Sequence, residues 1–202
     1  MAGQTPWQTV GPFFHFALPG PGGADLTGRS ETGARRDLAP AEHFRLRRVE
    51  RTPPQGEAIE IAGRVLDGAG EPVPDALVEI WQADADGRYA SDPAEGFVGF
   101  GRAATLEDGG YRFRTVRPGR VPGPGNALQA AHIAIGVLGR GIMRRLVTRL
   151  YFEDADGLDE DPVLSMVPEA RRRTLLARRA GPGQYRFDVV LQGEGETVFF
   201  EL

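Results

Sequence analysis

The chain has 202 residues, a formal net charge of -4 and a pI near 5.5. That length accommodates one sizeable hydrophobic core, and an acidic balance argues against nucleic acid or an anionic membrane as partner, since both favour a basic face. There is no cysteine, which excludes disulfides, zinc-thiolate centres, iron-sulfur clusters and thiol catalysis; any metal would need His, Tyr, Asp or Glu.

In chain order, residues 1 to 54 are rich in Gly, Pro and charge ("ALPGPGGADLTGRSETGARRDLAP") and carry no sustained period. They predict an extended arm with little regular structure. The N-terminus has no basic segment followed by an apolar one, and no apolar run approaches the ~20 residues that span a bilayer, so a cytoplasmic location is expected. Within the arm, "TPWQTVGPFFH" at 5 to 15 combines Pro-stiffened backbone with aromatic area. Such a segment is expected to dock on its own domain or on a partner.

From Ile59 onward short alternating runs appear, punctuated by Asp67-Gly68, Gly70 and Asp86-Gly87. "IEIAGRV", "ALVEIW", "GYRFRTVRPG", "AHIAIGVLG", "RRLVTRLYF", "YRFDVVLQG" and the terminal "ETVFFEL" are strand candidates. Many short strands with Gly/Pro turns predict an all-β fold, a β-sandwich over 55 to 202. One segment differs: "VPEARRRTLLARRA" has Pro168 at a first-turn position, Glu169 after it and arginines toward its end, which predicts a short helix near 168 to 179.

Few residues offer chemistry. His132 lies in the apolar run "QAAHIAIGVLG", where a strand-built metal site would use His-x-His; the residue two further on is Ala134. Tyr89 follows the Asp86-Gly87 turn and reads either as packing or as a phenolate donor for a hard cation such as ferric iron. Trp81 reads as core packing. Arg140, between Gly139 and Gly141, reads as a turn residue, with an anion contact as the alternative.

Taken together, "TPWQTVGPFFHFAL", "LVEIWQADADGRY", "YRFRTVRPG", "AHIAIGVLGRG", "TRLYFEDAD" and "YRFDVVLQGEGETVFFEL" closely resemble the intradiol aromatic-ring dioxygenases, from about residue 4 to the C-terminus. Catalytic chains of that family hold non-haem ferric iron with two tyrosines and two histidines. By that resemblance Tyr89 and His132 keep a tyrosine and a histidine, whereas Val121 and Ala134 stand where the second of each belongs, and an arginine of the catalytic chains is replaced by Gln129. Tyr89, Val121, His132 and Ala134 are thus vestigial metal-site positions, and no catalytic or metal-binding residue is expected in this chain.

The resemblance implies an alpha-type chain that assembles with a beta subunit bearing Fe(III). The complex would cleave protocatechuate between its hydroxyl-bearing carbons with O2, giving 3-carboxy-cis,cis-muconate. Thr9, Gly11 and Pro12 of the arm would line the partner's substrate pocket, with Arg140 near the carboxylate end. Two alternatives remain open at this point: a non-enzymatic sandwich module that binds a partner, and a homomeric dioxygenase for catechol or hydroxyquinol, against which Val121 and Ala134 argue.

Overall fold

The computed structural model describes residues 8–18, 23–27, 54–90 and 97–201. Eleven strands are present among them: β1 (Ala58–Leu66), β2 (Leu77–Gln82), β3 (Phe100–Ala104), β4 (Gly110–Val116), β5 (Val121–Pro122), β6 (Leu128–Gln129), β7 (His132–Leu138), β8 (Leu146–Phe152), β9 (Leu176–Gly181), β10 (Gln184–Arg186) and β11 (Val189–Val190). Nine of them join in one sheet ordered β11-β1-β10-β9-β8-β7-β2-β3, with β4 on the far side of β1. The sheet folds on itself because β9 changes partners along its length. Leu176 and Ala177 run parallel to Tyr151 and Phe152 of β8, while the residues from Arg178 to Gly181 pair antiparallel with β10. The result is the expected sandwich.

The alternation read from the sequence accounts for the core. In β1 and β4 every second residue is buried, so Ile59, Ile61, Tyr111 and Phe113 meet Val78, Ile80, Ile133, Ile135 and Leu150 from the facing strands. Tyr111 resolves its one polar atom by donating to the carbonyl of Phe187 at 2.6 Å. A smaller cluster lies on the other face of β8, where Ala130, Tyr151, Leu164, Val167 and Leu175 are packed against Val198 and Phe200.

Two pieces of the N-terminal arm belong to this body. The backbone of 23–27 stitches β3 to β4: Arg102 N–H donates to Gly23 O, Arg114 N–H to Ala24 O, and Leu26 N–H returns to Arg114 O, each at 2.8 Å. Ala24 and Leu26 are consequently part of the core. Earlier in the arm, a single-turn helix α1 (Phe14–Ala17) packs near β3, with His15 buried.

The expectations differ from the structure at three places. The helix expected over 168–179 is a single turn, α2 (Glu169–Arg172), continued by a 3-10 turn to Leu175. Residues 176–179 are strand instead, because burial of Leu175 and Ala177 and pairing with β8 and β10 outweigh the helical propensity of arginine and leucine. Trp81 is not core: "LVEIWQ" directs Val78 and Ile80 inward, which sends Trp81 to the outer face, 37% exposed. In the arm, Phe13 is 72% exposed, and Trp7 lies outside the described residues. The C-terminal run is not a regular strand, although Thr197 N–H bonds Val190 O and Phe200 N–H bonds Val147 O.

Candidate functional site

Of the four positions singled out by the resemblance, His132, Ala134 and Tyr89 share the outer face of the sheet around the start of β7, and Val121 lies in the separate β5-β6 ladder. Ile133, Ile135 and Val137 take the core face, so His132 and Ala134 point the other way. Tyr89 is brought there by the turn that precedes it. Asp84 accepts the N–H groups of Asp86 and Arg88 through one carboxylate oxygen, at 3.0 and 2.8 Å. Gly87 has φ +78° and lies so close to the Arg120 carbonyl that a Cβ would sit 2.0 Å from its oxygen. Glycine therefore permits the turn to lie flat on the segment leading into Val121. Tyr89 then stacks on Trp81, ring centroids 5.8 Å apart and planes 8° from parallel.

His132 is buried and donates from Nδ1 to the carbonyl of Ala130 at 2.8 Å. Burial lowers the imidazole pKa, the Ala130 bond partly opposes this, and the Arg149 guanidinium pushes the same way as burial. The ring faces Tyr151, its register partner on β8, at 5.7 Å between centroids. Val121 is buried and pairs with Gln129 across the β5-β6 ladder.

The residue that organises this face is Arg149, which the sequence reading did not single out. It stands in register with Ala134, which in turn pairs with Trp81. Its Nη1 donates to Gln129 Oε1 at 2.7 Å and to the Tyr151 hydroxyl at 3.4 Å. The Tyr151 hydroxyl in turn donates to Asp161 Oδ1 at 3.1 Å. Asp161 is fully buried and also accepts the N–H groups of Ala130, Val163 and Leu164 at 2.8 to 2.9 Å. The signal for Arg149 in the sequence was the alternation of "TRLYF", which sets Arg149 and Tyr151 on one face; only strand pairing reveals what that face opposes.

These residues do not fit a ferric ion. Val121 and Ala134 offer no lone pair, the Arg149 side chain extends from opposite Ala134 to Gln129, and among the described residues no three His, Cys, Asp or Glu side chains converge. Tyr89 and His132 by themselves supply too few donors for a metal that prefers several anionic oxygens.

The second group of predicted residues gathers elsewhere. Thr9 of the arm accepts the N–H of Gly141 on its hydroxyl at 2.9 Å, and the same hydroxyl donates toward the Gly139 carbonyl at 3.4 Å. It thereby clasps the turn that carries Arg140 on both sides. Arg140 pairs with Asp75 at 3.1 Å while its side chain remains 65% exposed. Gly11 and Pro12 follow Thr9 on the surface. This turn leaves the C-terminal end of β7, whereas His132 opens the strand; at ~3.3 Å per residue the two groups are ~20 Å apart. The arm residues and Arg140 thus share one surface, separate from Tyr89 and His132.

A sandwich of this connectivity, with Tyr89 and His132 on its outer face, defines the class: residues 34–193 match the family model described as Dioxygenase, and the chain belongs to that family. The dioxygenase domain of a dioxygenase and carbohydrate-binding fusion protein from Streptomyces sp. SirexAA-E shares the fold, with a TM-score of 0.55 and 32% identity over 69% of this chain and 82% of that one. More particularly, the chain is 41% identical to the protocatechuate 3,4-dioxygenase alpha chain of Burkholderia cepacia, over 98% of both chains. It is 39% identical to the alpha chain of Pseudomonas putida, over 98% of this chain and 96% of the relative. The beta chain of the Burkholderia cepacia enzyme is 39% identical over 80% of this chain and 76% of its own length. Among the described residues no helix is long and apolar enough to cross a membrane.

Proposed function

We propose that this chain is the alpha subunit of a protocatechuate 3,4-dioxygenase, a cytoplasmic complex that opens protocatechuate with O2 to 3-carboxy-cis,cis-muconate, and that the iron is held by a beta subunit. The observation that carries this reading is the pair of lost donors at Val121 and Ala134, with a guanidinium set against them. A chain so altered has no route to activating a catecholate, yet its likeness to alpha chains runs nearly end to end. In this reading residues 55–202 are scaffold, residues 1–54 form the arm that contacts the partner, and Thr9, Gly11, Pro12 and Arg140 are the part that faces the partner's substrate.

Two physical points support that division of labour. The Thr9 clasp holds the arm against the Arg140 turn, and the Arg140 guanidinium, held through Nε by Asp75, remains largely exposed and can reach a second carboxylate. Neither residue lies near Tyr89 or His132, which fits a surface completed by another chain.

The experiment is expression of this chain alone and together with a beta chain, followed by metal analysis and oxygen uptake on protocatechuate. Iron and turnover are expected only with the beta chain, at one iron per alpha-beta pair. One iron per chain in the protein expressed alone, with visible tyrosinate absorption, would overturn the reading.

A further inference from the structure

We infer that Arg149 is a metal-excluding residue: its guanidinium occupies the interior of the vestigial site as a built-in cation, so that this chain rejects iron by charge as well as by lack of donors. The inference rests on reading Tyr89, Val121, His132 and Ala134 as former ligand positions, and concerns what took the metal's place.

Arg149 stands beside this group through its register neighbours and hydrogen-bond partners. Its backbone is directly across from Ala134, so a donor introduced at 134 would start with its Cβ ~5 Å from that of Arg149. Its guanidinium ends on Gln129, the ladder partner of Val121. The same nitrogen touches Tyr151, which lies opposite His132. Its charge also reaches Tyr89, where it opposes the upward push of burial on the phenol, and His132.

The charge has no direct ion-pair partner among the described residues, although the buried Asp161 carboxylate opposes it at His132 and Tyr151. Among the described residues Arg149 has no carboxylate within ion-pair distance, in contrast to Arg102, Arg117 and Arg145, each of which grips one. Its hydrogen-bond partners are a neutral amide and a neutral phenol, and Asp161 is reached only through the Tyr151 hydroxyl. A half-buried guanidinium paired with neutral groups raises the local potential, and repulsion of a trivalent cation at such range is large even with strong screening.

The test compares Val121→Tyr/Ala134→His with the same pair carrying Arg149→Gln or, retaining the aliphatic stem without a new oxygen donor, Arg149→Met. Iron per chain is measured after incubation with ferric salt and desalting, together with visible tyrosinate absorption, and circular dichroism confirms the fold of each variant. The double variant is expected to stay nearly empty, and both triple variants to bind iron at least ~10-fold more tightly. Equal iron in the double and triple variants, whether both loaded or both empty, overturns the inference. A rise with glutamine but not methionine overturns it too, since that would be a new donor and not a removed charge. Iron in the unmodified chain would instead defeat the proposed function, so the two failures are distinct.

Discussion

The Thr9 hydroxyl accepts the backbone N–H of Gly141 at 2.9 Å across 132 residues of chain. One hydrogen bond so placed fixes the arm to the turn bearing Arg140, and it is part-exposed, so its net worth is ~0.5 to 1.5 kcal/mol. Thr9→Ala is therefore expected to leave the melting temperature of the chain almost unchanged, while amide exchange at Gly141 quickens. In the complex with a beta subunit, KM for protocatechuate is expected to rise ~2- to 10-fold, the equivalent of that bond. Thr9→Ser restores both readouts. Unchanged exchange at Gly141 would mean that the clasp is not formed in solution.

Gly136 and Arg145 give a second prediction. A Cβ at 136 would fall 2.3 Å from Arg145 Nε, because Arg145 lies flat over β7 to reach the largely buried Glu79, which Arg102 grips from the other side. Gly136→Ala should displace Arg145 and cost ~1 kcal/mol or less, since Arg102 remains and Arg145 is partly solvated. Arg145→Ala should cost a similar amount. Urea denaturation of the double variant is expected to give little more than either single change, and additive losses would show that the glycine acts through something else.

Asp161 holds four donors from a fully buried position: Tyr151 and the backbones of Ala130, Val163 and Leu164. Asp161→Ala leaves all of them without that acceptor and is predicted to destabilise the chain by ~3 kcal/mol or more, visible as a lowered urea midpoint. Because Ala130 immediately precedes the His132 strand, exchange protection should drop first over 129–132 and 163–167. A loss below ~1 kcal/mol would mean that water replaces the carboxylate without penalty.

The depressed pKa of His132 makes a pH prediction. The imidazole is kept neutral in the fold by burial, reinforced by Arg149, while the unfolded imidazole titrates near ~6.5. Between the folded value and ~6.5 the unfolded chain binds more protons, so stability falls as pH is lowered through that window and is indifferent to this group above it. Urea midpoints measured from pH 8 to pH 5 should decline at the acid end, and His132→Gln should flatten that part of the decline. An unchanged slope would show that His132 is solvated in the native protein.

Much of this molecule could be read before folding was considered. Alternation in "IEIAGRV" and "GYRFRTV" sufficed for β1 and β4, because each has one buried face and a period of two encodes it directly. That positions 121 and 134 can offer no donor to a metal was equally legible, since valine and alanine lack lone pairs wherever the chain places them. "LVEIWQ" was less legible: its first four residues are all buried, so the pattern could not say that Trp81 turns outward to meet Tyr89. The end of the helix after Leu175 was hidden for a related reason, because the residues that follow are claimed by β8 and β10 from far along the chain. Arg149 is the plainest case. Its charge is written in the sequence, but its role depends on facing Ala134 and reaching Gln129, and strand register is decided by nonlocal pairing and the shared core, not by neighbours in the chain.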